Sequence, residues 1–357
     1  MILAPLKTIS PSRFDALRGC ALQVVLEKSF PQGVLPPTVY MLAGSLVHRI
    51  AERAFLEAPS NAEELALIWQ NETVKFEAQL QQYEATALLV PLRYSIPNFA
   101  VRKALFLRTW KYRPVVKNWK SGEDSKGGAE QFLTDAKHVV AGKADLLLHT
   151  SAGWVIKDFK TGMMHDPVTG QAKPEYALQL KLYAALCEQK HGEWPVRLVL
   201  ENAAGEELDV PFTAAECSIL LLEAQQLLVA INQRIGAGEV EQLASPDTIR
   251  CSRCQARPLC PVYVNEVRQA FPETTTDVLG AVVSFTVHNG RLQLLLELGG
   301  TRRQLLANGP ASTRLHAQIA KLTGQEILVC NVKGTANVLT FTATDTSSAM
   351  PILAYST

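Results

Sequence analysis

The stretch Trp154-Val155-Ile156-Lys157-Asp158-Phe159-Lys160-Thr161-Gly162 decides how this chain is read. Its apolar start, closed by Gly162, predicts a strand. Side chains on a strand alternate with a period of two, so Asp158 and Lys160 share one face. A carboxylate placed there holds a hard divalent cation while the lysine reaches an attacking water or a phosphate. A lone D-x-K triplet is also a common solvated strand end, so its meaning depends on its surroundings.

Immediately upstream, Gly142-Lys143-Ala144-Asp145-Leu146 ends a predicted hairpin and offers a second carboxylate. Short strands are expected at 131–134, 138–141, 143–149 and 154–160. A turn follows at Asp166-Pro-Val-Thr-Gly170, then a helix over 174–189, a strand over 196–201 and a long helix over 214–235. Before residue 120 the periodicity is helical: a short helix ending at Gly19, then helices over 43–56, 62–86 and 102–119. Helices before a compact sheet, with a helix crossing to a further strand, predict an α/β core with a helical N-terminal part.

Two helical pairs add to the strand motif. Gly44, His48 and Glu52 recur at i, i+4 and i+8, one helix face. A neutral imidazole beside carboxylates suits magnesium or manganese. Gln179 and Tyr183 likewise sit one turn apart. Taken singly, each of these residues has an ordinary reading as surface or core.

The chain has 357 residues, of which 47% are hydrophobic and 19% charged, with a net charge of +1. That mix predicts a globular protein of two or three domains and excludes a uniformly basic nucleic-acid sponge. A local groove stays open, because residues 102–126 carry eight basic and two acidic residues, a local charge of +6, interleaved with Trp110, Tyr112 and Trp119. Cations neutralise phosphates and aromatic faces stack on unpaired bases. No stretch reaches 18 uninterrupted apolar residues and no secretory signal is read at the N-terminus, so a cytoplasmic protein without a membrane span is expected.

Composition changes near Phe271–Asp277, read as a linker. Beyond it, strands are expected at 278–288, 291–298, 302–307, 326–333 and 337–344, with a helix at 311–322 and a hairpin turn at Asn289-Gly290. That order is the order of an all-β OB-like barrel, a common oligonucleotide binder. Another small β-domain used for packing is the alternative. The predicted division is therefore 1–271 and 272–357. The second part has six basic and five acidic residues. Phe285, His288, Arg302 and Arg303 are its candidate contacts to a nucleic-acid strand, and docking of a protein partner is equally open.

Seven cysteines are present. Cys251, Cys254 and Cys260 form a C-x2-C-x5-C run, while Cys20 stands more than 230 residues earlier. Clustered thiols in a reducing compartment point to a metal site. The spacing alone does not choose between zinc and an iron–sulfur centre. Cys187, Cys217 and Cys330 lie in apolar contexts and are expected in the core.

In order, Gly-xxx-His, Gly-x-x-Asp, Asp-x-Lys-Thr-Gly and Gln-xxx-Tyr resemble the RecB-like branch of the PD-(D/E)XK nuclease superfamily, over about residues 8 to 262. Ser10-Pro-Ser12-Arg-Phe-x-x-Leu-x-x-Cys20 resembles the opening of those proteins. The resemblance implies metal roles for His48, Asp145 and Asp158, with the Phe159 carbonyl completing the shell. It implies a catalytic role for Lys160 and active-site support from Gln179 and Tyr183. Glu52 is left open between a metal role and orienting Arg49 or a neighbour.

The four thiols resemble those of the iron–sulfur members of this branch, the AddB-type recombination nucleases and the CRISPR-associated adaptation nucleases. A [4Fe–4S] cluster held by Cys20, Cys251, Cys254 and Cys260 is implied, with zinc as the alternative. Such a cluster would staple the two ends of the nuclease domain, removing several kcal/mol of unfolded-chain freedom.

The implied activity is Mg²⁺- or Mn²⁺-dependent hydrolysis of DNA, single-stranded or with ends, by an exonuclease more than an endonuclease, in repair, recombination or defence. No P-loop of the form G-x-x-x-x-G-K-[ST] occurs, so unwinding would fall to a helicase partner. The alternatives are a nuclease-derived DNA-binding adaptor and an adaptation-type trimming nuclease.

Overall fold

The structure is a computed structural model that describes residues 3–30, 34–87, 89–110, 127–160, 162–202, 204–269, 276–335 and 339–352. It opens with α1 (Phe14–Gly19) and α2 (Ala21–Ser29), then α3 (Val39–Glu57) and α4 (Ala62–Leu80). Single turns α5 (Glu84–Ala87) and α6 (Leu92–Ser95) lead to α7 (Phe99–Thr109). Thr38 caps α3 by accepting from Met41 N, and Asn61 caps α4 by accepting from Glu63 N and Glu64 N. Each cap satisfies amides that the first helical turn leaves unpaired.

The sequence places helices where these lie but misjudges their ends. The second helix starts four residues earlier than expected, at Val39, and the third stops at Leu80. The expected helix over 102–119 starts at Phe99 and ends at Thr109; residues 111–126, with Tyr112 and Trp119, lie outside the described residues. Trp110 is not free to stack on a base. It is buried with Phe106, ring centroids 5.5 Å apart, in the core that α3, α4 and α7 share.

A five-stranded sheet follows: β1 (Gly127–Thr134), β2 (Ala141–Thr150), β3 (Gly153–Lys160), then β4 (Arg197–Asn202) and β5 (Glu207–Asp209), in that spatial order. β1, β2 and β3 form an antiparallel meander. β4 runs parallel to β3, so α8 (Pro174–His191) makes the crossover that a parallel pair requires. α9 (Ala214–Gly236) packs on α8 and opens with a capping box between Thr213 and Glu216. It is long and apolar enough to cross a membrane by length and composition alone, yet Cys217, Leu221, Ala224, Leu228, Ile231 and Ile235 face the core under the sheet.

The strand expected at 138–141 is absent as such; Val140 makes only an isolated bridge to Ile9. Asp135 explains this. Its Oδ1 accepts from the amides of Val139 (2.7 Å) and Val140 (2.8 Å), which holds a tight turn with His138 at φ 56°.

After α10 (Thr248–Arg253) and α11 (Pro261–Gln269) comes a closed barrel: β6 (Val278–His288), β7 (Arg291–Leu298), β8 (Thr301–Ala307), α12 (Gly309–Ile319), β9 (Glu326–Gly334) and β10 (Thr340–Pro351). The strand order is β10-β8-β7-β6-β9, closed by the antiparallel β9–β10 pairing, with β8 and β10 parallel. This form is compatible with an OB-like barrel. Asn289 and Gly290, both at positive φ (50° and 73°), make the β6–β7 turn. Leu292, Leu294, Leu296, Leu305, Ile327 and Phe341 fill the interior.

A second, smaller apolar cluster joins Leu35, Tyr263, Val264 and Val267 to Leu279, Leu328 and Cys330 of the barrel. Residues 271–275 of the expected linker lie outside the described residues. Its last residue, Asp277, is 1% exposed, which is not the character of a linker.

Candidate active site and thiol pocket

β2 and β3 bring Asp145 and Asp158 side by side. The backbone ladder between these strands runs to Leu146 and Lys157. At the next step Asp145 takes over, its Oδ2 accepting from Phe159 N at 2.7 Å. The side chain thus satisfies an amide the ladder leaves over. Two residues apart on β3, Asp158 and Lys160 share a face as the period requires, with Asp158 Oδ2 and Lys160 Nζ 2.6 Å apart.

α8 supplies the brace. Gln179 donates from Nε2 to Asp158 Oδ1 at 2.6 Å and accepts from Lys160 Nζ at 3.0 Å. One amide therefore fixes both reactive groups. Lys160 also lies 4.4 Å from the ring centroid of Tyr176, a cation–π contact. One turn on, Tyr183 donates to Lys143 O at 2.6 Å. A Cβ on Gly142 would lie 2.8 Å from Pro11 Cδ and 3.0 Å from the Tyr183 hydroxyl, so this close approach explains the glycine of Gly-x-x-Asp.

α3 closes the site. His48, Glu52, Phe55, Leu56, Glu130, Asp145 and Phe159 line one pocket of about 290 Å³, with the Phe55 and Phe159 rings 4.6 Å apart. Asp158, Lys160, Gln179 and Tyr183 adjoin it as the linked group beneath Asp145 and Phe159.

Burial sets the electrostatics. Asp158 is 2% exposed, and desolvation pushes its pKa up against the pull of Lys160 and His48. Asp145 is pushed up to about 7, by burial first and then by the neighbouring Asp158 charge. His48 is driven down, chiefly by burial, which keeps its imidazole neutral and able to donate a lone pair.

Two carboxylates here were not assigned from sequence. Arg49 pairs with Glu72 at 3.8 Å and lies over the Phe76 ring, and its charge also acts on Glu52. Glu52 is pushed up to about 7 by burial and a hydrogen bond with Glu130, and that same bond holds Glu130 below its ordinary value. Glu130 sits on β1 at φ 50°, a left-handed conformation unusual for glutamate, and pairs with Lys143 at 3.2 Å. Its neighbours Ala129 and Gln131 pair with Leu146 and Ala144, which sets Glu130 across from Asp145. Only the hairpin register, not residue spacing, would have revealed it.

Far from β3 in sequence, Cys20 at the α1–α2 junction meets the C-terminal loop. Cys20, Cys251, Cys254 and Cys260 line a single pocket of about 320 Å³, together with Leu22, Leu26, Arg250, Arg257 and Tyr263. All four thiols are free. Burial raises Cys251, and raises Cys254 and Cys260 to about 11, with Cys20 adding to each shift. The Arg250 guanidinium occupies the space a Cβ on Gly19 would enter, so a glycine lets the loop lie over the end of α1. Cys187, Cys217 and Cys330 are fully buried core residues.

The candidate strand-binding residues of the barrel are mostly committed elsewhere. Arg302 pairs with Glu297 at 3.3 Å, Arg303 donates to Leu279 O at 2.9 Å, and the half-buried Phe285 packs edge-on against His316. His288 is exposed at the end of β6.

A meander presenting two carboxylates and a lysine, braced by a crossover helix, carries groups of the type that hold a divalent cation beside a phosphate. The sequence matches the profile of the PD-(D/E)XK nuclease superfamily over residues 8–261, more than two-thirds of its length, and the chain belongs to that superfamily. No curated protein matches it. Among solved structures it is similar to the tetrameric p202 HIN2, at 14% identity and a TM-score of 0.19, over 25% of this chain and 48% of that one. It thus spans about half the length of that structure, a likeness too slight to carry any part of the fold.

The residues present suit the divalent cation that the superfamily uses. His48 contributes nitrogen, and Asp145 and Asp158 contribute oxygen. Both Asp158 oxygens already have protein partners, Gln179 Nε2 at Oδ1 and Lys160 Nζ at Oδ2, each 2.6 Å away, so the match to a cation rests on the chemistry of the donor set. Among the described residues no three His, Cys, Asp or Glu side chains converge on one ion-sized point.

Proposed function

We propose that the protein hydrolyses DNA phosphodiesters, acting as an exonuclease on single-stranded or end-containing DNA. The observation that carries this reading is the Asp158–Lys160–Gln179 group joined to Asp145 through Phe159 N. His48, Asp145, Asp158 and the Phe159 carbonyl would hold the cation. When bound, Mg²⁺ or Mn²⁺ supplies an activated water and stabilises charge developing on the phosphate. Lys160, held by Gln179 and Tyr176, places a positive charge beside that phosphate. Tyr183 keeps the start of β2 in place through Lys143 O. Phe55 and Phe159 shield one side of the pocket from water.

The test uses end-labelled single- and double-stranded DNA with Mg²⁺ or Mn²⁺. Metal-dependent shortening from an end supports the reading. DNA binding without cleavage under either metal would overturn it in favour of an adaptor module. A helicase partner would supply unwinding for duplex substrates.

The four thiols are proposed to hold a [4Fe–4S] cluster. Support comes from all four lining one pocket, although Cys20 lies far from the others in sequence. Anaerobically purified protein should absorb broadly near ~400 nm and contain iron and sulfide. Stoichiometric zinc without iron would overturn this assignment.

A further inference from the structure

The buried charges at the edge of the thiol pocket take no part in the proposed chemistry. Arg257 lines that pocket and is 3% exposed. Its Nη1 donates to Cys254 O at 2.9 Å. Nε and Nη2 grip Asp277 as a fork, at 2.6 and 3.0 Å. Nη2 also donates to Asn331 Oδ1 on β9 at 2.6 Å. Asp277 in turn accepts from Tyr263 Oη and Asn331 N, each at 2.9 Å. Asn331 sits at φ 60° and donates to Thr346 O of β10 at 3.0 Å. One guanidinium therefore touches the backbone of a pocket cysteine, the entrance to the barrel and a barrel strand.

We propose that Arg257 is a positioning residue that couples the thiol pocket to the barrel, so that the barrel braces the cysteine loop and the loop anchors the barrel. The inference rests on the pocket geometry and not on which metal the thiols hold. Three features favour arginine. Its planar fork matches the Asp277 carboxylate, its remaining donors reach Cys254 O and Asn331, and its charge is balanced at once by Asp277. The apolar cluster of Tyr263, Val264, Val267, Leu279, Leu328 and Cys330 around it keeps water away from the pair. Lysine keeps the charge but cannot make the fork. A barrel-side change at Asn331 removes its side-chain bonds to Arg257 and to Thr346 O and touches none of the four pocket thiols.

The test reads coupling in both directions on full-length protein. Wild type, Arg257→Lys and Asn331→Ala are stripped of metal with chelator, kept reduced and pulsed with iodoacetamide. Labelling is read by mass spectrometry at each cysteine, with Cys187 and Cys217 as buried controls. Both variants should raise labelling of Cys254 and Cys260 about tenfold, the change in local opening that loss of a buried charged hydrogen bond produces. The controls should stay within about twofold. In the other direction, Cys20→Ser should speed amide hydrogen exchange of β6 and β9, since coupling is reciprocal.

Pocket labelling unchanged in Asn331→Ala, with the barrel folded by hydrogen exchange, would overturn the proposal. So would faster labelling of all cysteines together, which marks global destabilisation. If Arg257→Lys does not fold, Asn331→Ala alone decides. Failure of the iron–sulfur assignment leaves this experiment intact, because thiol labelling needs no cluster.

Discussion

The catalytic pocket and the thiol pocket are assembled in opposite ways. The first draws its strongest groups from a short meander and its crossover helix, residues 142 to 183, with α3 as a wall. Its carboxylates are desolvated and unneutralised enough that Asp145 is raised to about 7. The second draws one thiol from the start of the chain and three from beyond residue 250, and is lined by leucines and by an arginine already paired. The difference teaches that the first pocket gathers desolvated charge from neighbouring elements, while the second gathers thiols from the two ends of the family-matched region. Removing a group from the first should cost rate, and from the second, stability.

The largest expected effect tests the first half of that contrast. Asp158→Asn and Lys160→Met should each lower cleavage at least about a hundredfold, because each removes charge stabilisation at the reacting phosphate. The thermal midpoint of Asp158→Asn should remain close to wild type in metal-free protein, because the amide removes a buried charge, whereas Lys160→Met leaves Asp158 without its ion-pair partner and should lower it. A large drop in midpoint with modest loss of rate would reverse the roles of the two pockets.

Next comes Arg257→Met. Stranding Asp277 in the core should cost about 3–5 kcal/mol, read by urea denaturation, since breaking a buried pair leaves an uncompensated charge. Burial alone works to raise Asp277, and the Arg257 hydrogen bonds and charge hold it below its ordinary value.

A pH series sharpens the comparison further. Asp145 has an ordinary value of 3.8 and is raised to about 7, mainly by burial, so the folded protein binds more protons than the unfolded chain between those limits. Metal-free stability should therefore be full below about pH 4 on this account and fall as pH rises to about 7. Asp145→Asn should flatten that slope, measured by urea denaturation at several pH values. Loss of stability on acidification across the same range would contradict it.

Smallest is Tyr183→Phe, which forfeits one hydrogen bond to Lys143 O. It should cost about 1 kcal/mol and leave cleavage within about tenfold of wild type.

Much of both pockets was legible because the decisive information is periodic or chemical. Period two put Asp158 and Lys160 together, and a helical turn linked Gln179 to Tyr183. The barrel was legible from its turns, above all Asn289-Gly290. What escaped depends on register or on distant pairing. Glu130 becomes a site residue only when β1 is set against β2. Arg257 and Asp277 are two ordinary charges whose meeting follows from how the barrel seats on α11. The strand expected at 138–141 failed because Asp135 spends its carboxylate on local amides, a competition that hydropathy does not register.

The distance between Cys20 and its three companions also has a consequence in time. A chain synthesised at about 5–20 residues per second exposes Cys20 on the order of ten to fifty seconds before Cys251 emerges. The residues of the meander and α8, 127 to 191, emerge within that interval. The reactive scaffold is thus born first and the clasp last. The nascent protein passes through a stage in which Cys20 and every strand of the five-stranded sheet have emerged and Cys251, Cys254 and Cys260 have not.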